Sequence, residues 1–421
     1  MIDKKLSELI IQERHRLNND IELIASENYP SQDILDLLGS VFSVKYAEGY
    51  PGNRHYAGCA VIDQVETLCI EKAKELFRVN FANVQPWSGS QANAAVYFAV
   101  CQPGDRTLSM SLDAGAHLTH GSKFTFSGKY FENHGYDLTN EEIDYAIIER
   151  RIYEVKPRLL ITGYSAYSRK IDFEKIRKIV DAYNAARGEE QECILWCDMA
   201  HFAGFIAAHV WDDIHDPTKW CDILTSTTHK TLRGPRGGLI LWNDDRFTKA
   251  LNQAVFPAIQ GGPNEAIVAA KAQCFIEALR PEYKNYIKQV GINTVALVRG
   301  IFEVATAEQI RIVSGAVENH LALLDLKGTG INGKIAEDRL TSFNIITNKN
   351  MMPGDSAPSK SSGLRIGAAS VTTRGFTEDD CVEVGRLIGE ILITPEAEIN
   401  RADIEKRVAA LLAKVGDFYK G

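Results

Sequence analysis

Residues Leu224–Gly238 read LTSTTHKTLRGPRGG. Hydroxyl side chains lead into His229-Lys230, and Gly234, Pro235, Gly237 and Gly238 break the backbone just beyond. Such a stretch is a poor helix and a short strand at most. Lys230 is therefore expected on a turn at the end of a strand, where loops carry chemistry. A lysine set among hydroxyls and an imidazole, with Arg233 and Arg236 close behind, has surroundings suited to a nucleophilic amine that condenses with an aldehyde. The alternative is a solvated lysine on a surface turn.

The sequence upstream decides between these readings. Cys193-Ile-Leu-Trp-Cys197 is an apolar run ending in Asp198-Met-Ala-His201, the pattern of a buried strand that delivers a carboxylate at its carboxyl end. Further upstream, Ser88-Gly89-Ser90 opens an apolar segment, Ala94 to Val100, that stops at Pro103-Gly104. Serine and glycine at a helix start leave free N–H groups and the positive end of the helix dipole facing an anion. A plain amino-terminal cap is the simpler use of the same residues. A lysine for an aldehyde, a carboxylate for a ring nitrogen and a phosphate cradle are together what pyridoxal phosphate requires.

The 421 residues suffice for two or three domains, and the formal charge of -8, with no long basic run, gives no attraction to nucleic acid or anionic membranes. Eight cysteines are scattered without a C-x-x-C pair or zinc-ligand spacing, so they read as reduced and buried. No apolar run reaches the roughly 18 residues of a membrane span, and a cytoplasmic small-molecule enzyme is the expectation.

Along the chain, residues 1–20 read as an amphipathic helical arm with Leu6, Leu9, Ile10 and Leu17 on one side, docking on the body or on a second subunit. Ser26, Glu27 and Asn28 follow on a loop before Pro30. Lys45–Tyr56 is broken by Gly49, Pro51 and Gly52 and holds three tyrosines, Glu48, Arg54 and His55. That loop reads as an interface, as an active-site wall with Glu48 as proton carrier, or as both if two subunits share the site. Apolar runs at Thr107–Met110, Arg158–Thr162, Cys193–Cys197, Asp222–Thr225 and Gly238–Trp242 alternate with helical stretches, which predicts a mostly parallel sheet between helices. Polar loops off that sheet offer His117 and His120, and Ser165. From Pro281 a smaller α/β domain is expected, ending in a helix with Val384, Leu387, Ile388 and Ile391 on one face. Arg365, on a short strand there, suits a carboxylate clamp. The expected domains are the arm, 21–280 and 281–421.

The strings IELIASENYPS, KYAEGYPGNRHY, NVQPWSGSQAN, HLTHGS, SAYS, CDMAHFAG, TTHKTLRGPRGG and QGGP, in this order and spacing, resemble the serine hydroxymethyltransferases, strongest from Ile21 to Pro263. That resemblance implies the aspartate aminotransferase-like fold (pyridoxal-phosphate fold type I), with a mostly parallel seven-stranded sheet in the large domain. It also implies transfer of the hydroxymethyl group of serine to tetrahydrofolate, leaving glycine. Lys230 would carry the cofactor, Asp198 would pair with its ring nitrogen and His117 would stack on the ring. Ser165 and His201 would lie by the phenolic oxygen, and Thr227 and His229 would join the catalytic set. Ser88, Gly89 and Ser90 would hold the phosphate, with Tyr46 and Gly262 of a neighbouring subunit in a homodimer or tetramer. Ser26 and Arg365 would bind the substrate carboxylate, while Glu48 and Tyr56 would reach across from the partner as acid-base groups. Folate would meet His55, Leu112, Leu118, Asn350 and Phe256; no metal is expected. The sequence departs from the family's usual residues mainly on the folate side, at His55, Ala116, Ala368-Ala369 and 350–362. A folate-independent aldolase or transaldolase on β-hydroxy amino acids, a specialised biosynthetic paralogue and a non-catalytic protein of the same fold are the rival readings.

Overall fold

The computed structural model describes residues 2–188, 191–352, 355 and 361–419. The chain divides into two units, Pro30–Ile287 and a second made of Met1–Tyr29 with Lys288–Gly421.

The larger unit is built on a sheet of seven strands: β1 (Phe81–Asn83), β2 (Arg106–Met110), β3 (Glu132–Tyr136), β4 (Leu159–Gly163), β5 (Ile194–Asp198), β6 (Ile223–Thr227) and β7 (Gly238–Trp242). Their spatial order is β1-β7-β6-β5-β4-β2-β3. The pairs from β6 through β3 are parallel, and β7 runs antiparallel to both β6 and β1. β4 to β7 are buried at every position; β4, β5 and β7 are accordingly mainly apolar runs rather than alternating ones, while β6 buries three hydroxyl residues, Thr225, Ser226 and Thr227. Helix Gly89–Val100 lays Ala92, Ala95, Val96 and Tyr97 among Ile161, Trp196, Ile223 and Trp242. Each large aliphatic or aromatic side chain so buried contributes about 1.5–3 kcal/mol.

The smaller unit holds four antiparallel strands, β8 (Arg311–Ile312), β9 (Leu321–Asp325), β10 (Asn348–Asn350) and β11 (Gly363–Gly367), in the order β8-β9-β11-β10. Val384, Leu387, Ile388 and Ile391 of helix Glu378–Ile393 are buried in its core, as their spacing predicts. That helix does not close the chain. A further helix, Arg401–Val415, adds Ile404, Val408 and Leu411 to the same core.

Residues 21–29 depart from the expected boundary. Ile21 and Glu22 pair in parallel with Ile345 and Ile346, and Ile21 and Leu23 are fully buried in the smaller unit's core, so this segment belongs there. The helix before it, Lys4–Asn19, is capped by Asp3, while Leu6, Leu9 and Ile10 stay exposed. Arg374 fastens the turn that follows: its guanidinium donates to the carbonyls of Leu17, Asn18, Asp20 and Gly416 at 2.8–3.2 Å. Replacing Arg374 with Met leaves these carbonyls without that donor. Urea unfolding is expected to show a loss of about 3 kcal/mol, and a loss below about 0.5 kcal/mol would contradict this role.

Candidate active site

The sheet brings the predicted residues together. β1, β2, β4, β5 and β6 run in one direction, so the segments leaving their carboxyl ends emerge on one edge, where ligands of such sheets bind. Ser88 follows β1, His117 follows β2, Ser165 follows β4, Asp198 ends β5 and Lys230 follows β6.

Asp198 is 6 % exposed. One oxygen accepts from the Asn93 amide at 2.8 Å and lies 3.1 Å from Nε2 of His120; the other accepts from the Ala200 N–H at 3.1 Å. Burial pushes this carboxyl up, but the His120 hydrogen bond and the charges of His120, His117 and Lys230 outweigh it. The group is held well below the usual carboxylate range, as an anion. Asn93 is itself fixed, donating to Thr119 Oγ1 at 2.8 Å and accepting from Thr225 Oγ1 at 2.7 Å. Gly163, at the end of the neighbouring strand, has φ +99°, and a Cβ there would fall 2.0 Å from the Asp198 carbonyl oxygen. Only glycine admits β5 at this distance.

His117 caps the short turn Leu118–His120, and its Nδ1 lies 2.7 Å from Thr119 Oγ1. The loop before it meets Ser165 directly, since the Ser165 N–H donates to the Gly115 carbonyl at 2.8 Å. Lys230 is 8 % exposed, on a bend three residues past β6. The next residue, Thr231, donates its hydroxyl to the His201 carbonyl and accepts from the Gly204 N–H, each at 2.9 Å, which ties the lysine turn to the turn after Asp198. Among the described residues, the Thr227 hydroxyl and Nδ1 of His229 are buried without a hydrogen-bond partner. Polar atoms left so are costly unless a ligand meets them.

Ser88 caps helix Gly89–Val100, its hydroxyl accepting from the Gln91 N–H at 3.2 Å, and the N–H groups of Gly89 and Ser90 head the helix, a position that favours an anion. Glycine is required at 89, where a Cβ would stand 2.6 Å from the Thr227 methyl group. A ligand with a cationic ring nitrogen, an aldehyde and a phosphate fits this set of donors and acceptors.

A second group gathers elsewhere in the larger unit. Glu48, His55, Tyr56 and Phe256 line one pocket of about 720 Å³, with the His55 and Phe256 rings 5.4 Å apart. Lys230, Asp198 and His117 are not among its lining residues. Tyr46 and Glu48 lie against Gly261, and Glu48 also against Gly262. Arg54 braces this loop, donating to the Ala47 and Gly49 carbonyls on either side of Glu48 and pairing with Glu66 at 2.6 Å. Leu112 and Leu118 are exposed on the turns that follow β2.

In the smaller unit, Arg365 lies at the centre of β11 and donates from Nε to Asn348 Oδ1 at 3.1 Å. Burial pulls its guanidinium down to about 10, which leaves it a cation at neutral pH. The loop carrying Ser26 packs on the same strand, where a Cβ on Gly367 would fall 2.7 Å from the Ala25 Cα. Asn350 is on β10, opposite Gly363. Of the divergent segment 350–362, residues 353–354 and 356–360 lie outside the described residues.

Sequence reasoning missed Asn93 and its supports Thr119 and Thr225, and named His120 only as an alternative to His117. The available signal was an amide inside the apolar helix, Asn93, set among Ala92, Ala94 and Ala95.

Burial, then the charges of Lys230 and Arg236, push the His229 ring down to about 3. Because its folded value lies below the ordinary one, the folded state takes up no proton there as pH falls from about 6.5. The stability this contributes above that pH is lost progressively down to about 3. An NMR titration of the imidazole is expected to show no charge change between about pH 8 and 5; a midpoint near 6.5 would contradict the assignment.

The family model described as serine hydroxymethyltransferase matches residues 1–388. The chain is 49 % identical over 412 residues to a serine hydroxymethyltransferase of Lactobacillus acidophilus, with 97 % of each chain covered. It is 48 % identical to that of Lactobacillus gasseri, again over 97 % of each. A probable serine hydroxymethyltransferase of Rickettsia bellii is 48 % identical over 417 residues, 98 % of this chain and 96 % of its own. With this likeness over nearly its whole length and the seven-stranded sheet of fold type I, the chain belongs to the serine hydroxymethyltransferase family.

Proposed function

We propose that this chain catalyses the reversible transfer of the hydroxymethyl group of serine to tetrahydrofolate, with pyridoxal phosphate as cofactor, leaving glycine. The observation that carries the reading is Asp198: a buried carboxylate kept anionic by Asn93 and His120 and within reach of the Lys230 charge. When bound, the cofactor supplies the electron sink for the bond broken at the serine Cα. Lys230 would hold the cofactor through its aldehyde, and Asp198 would pair with its ring nitrogen. His117 would pack on the ring, with Ser165 and His201 toward its phenolic oxygen, and Thr227 and His229 would join the lysine in the catalytic set. Ser88, Gly89 and Ser90 take the phosphate at the helix start. Arg365, a cation at neutral pH, receives the substrate carboxylate with Ser26. Glu48, with Tyr56, moves the proton of the serine hydroxyl oxygen. In the larger unit, the residues that would meet folate are His55, Leu112, Leu118 and Phe256.

The proposal includes a homodimer, in which Tyr46, Glu48, Tyr56 and Gly262 complete the neighbouring copy's site. In support, the pocket around Glu48 has a lining without Lys230, and Val41, Val44 and Val61 of the larger unit expose apolar side chains suited to a second copy, as do Leu6, Leu9 and Ile10 of the smaller unit on their own helix. A cytoplasmic location accords with eight buried, unpaired cysteines. No helix among the described residues is long and apolar enough to cross a membrane.

Folate-dependent release of formaldehyde equivalents from serine tests the function; cleavage of β-hydroxy amino acids that ignores folate would favour the aldolase instead. Lys230→Arg is expected to abolish turnover with product release, and a variant that cycles normally removes the lysine from its role. Glu48→Gln is expected to bind cofactor and keep its colour while folate-dependent cleavage falls by roughly 100-fold or more. Unchanged cleavage would refute the proton-carrying role.

A further inference from the structure

Lys271 is an ionisable group that this chemistry leaves without a task. It lies within helix Glu265–Ala278 and is 1 % exposed. Its ammonium donates to three carbonyls, those of Val84 at 2.6 Å, Pro86 at 2.8 Å and Gly238 at 2.9 Å, so all three of its protons are engaged. Burial pulls the amine down to about 8, and it remains charged at neutral pH.

The positions of those carbonyls give the lysine its meaning. Val84 and Pro86 belong to the link from β1 to Ser88, and Gly238 begins β7, directly after the turn that carries Lys230. The Gly238 N–H returns to the Pro86 carbonyl at 3.0 Å, and a Cβ on Gly238 would fall 2.2 Å from the Ser88 carbonyl oxygen. On the other side, the Gly237 carbonyl accepts from the N–H of Thr228, two residues before Lys230, at 3.2 Å. A Cβ on Gly237 would stand 2.3 Å from Cε of Lys271, so glycine there makes room for the lysine stem. Packing alone would be served by Met or Leu. An ammonium here instead converts three converging carbonyl dipoles into one fixed joint between two loops.

We propose that Lys271 is a positioning residue that sets the separation between the Ser88–Ser90 helix start and the Lys230 turn, and thereby the grip on the cofactor's phosphate relative to its aldehyde. This rests on the assignment of those two segments to pyridoxal phosphate.

The test compares affinities of the full-length apoprotein for pyridoxal phosphate and for pyridoxal, which has the aldehyde and ring without the phosphate. Wild type is expected to bind pyridoxal phosphate more tightly. In Lys271→Met this preference is expected to shrink roughly tenfold or more, with pyridoxal affinity changed far less. Gly237→Ala, which presses on the lysine stem and keeps the charge, gives a second variant should the first fail to fold, and is expected to shift the preference in the same direction. Ile176→Ala, a core change remote from these loops, controls for lost stability and leaves the preference intact. If the foldable variants keep the wild-type preference while melting earlier, Lys271 only supports the fold and the proposal is overturned. Wild type that binds neither compound would instead contradict the cofactor assignment itself.

Discussion

The contact on which the larger unit's chemistry depends is the pair of hydrogen bonds that Asn93 and His120 give to one oxygen of Asp198. A carboxylate removed from water costs several kcal/mol unless its charge is met, and an unmet one takes up a proton. Here burial is outweighed, and the anion persists at the end of a central strand. Much nearby sequence follows from holding it there. Thr119 and Thr225 orient the amide, Gly163 lets β5 approach, and the Thr231 hydroxyl joins the turn after Asp198 to the turn of the lysine.

The sheet supplies what such a site needs besides charge, a rigid edge. Five strands running one way deliver a serine-rich helix start, an imidazole, a hydroxyl, a carboxylate and an amine from segments distant in sequence. Antiparallel β7 fits the same scheme: inserted between β6 and β1, it brings Gly238 against Ser88 and lets one buried lysine fasten both sides. The smaller unit uses another device. Arg365 is a cation held on a strand by a neutral amide, Asn348, and burial lowers its value without unseating its charge.

Much of this was legible in the sequence. β4, β5 and β7 are visible as apolar runs because strands buried on both faces have no polar alternation to hide them. Lys230 and Ser88 stand out because glycine, proline and serine punctuate the chain beside them. Hidden features were those made by distant partners. Nothing local in Ile21-Glu22 announces a pairing with Ile345-Ile346, and a two-residue strand carries no period to read. Helix Arg401–Val415 buries only Ile404, Val408 and Leu411 among many charges, a stripe too thin to mark it beside the stronger helix before it. Asn93 and Lys271 are polar residues in alanine-rich helices, and their purpose shows only when the opposing carboxylate and carbonyls are placed.

In the proposed function, the ionised carboxylate of Asp198 governs the cofactor's ring. The most direct measurement is the visible spectrum of Asp198→Asn beside wild type, each with pyridoxal phosphate and glycine, before and after tetrahydrofolate. The substitution keeps the shape and removes the charge. Wild type should develop a long-wavelength band that grows when folate is added, and the variant should show none while turning over roughly 100- to 1000-fold more slowly. A variant that keeps both the band and its growth would show that the Asp198 charge is dispensable.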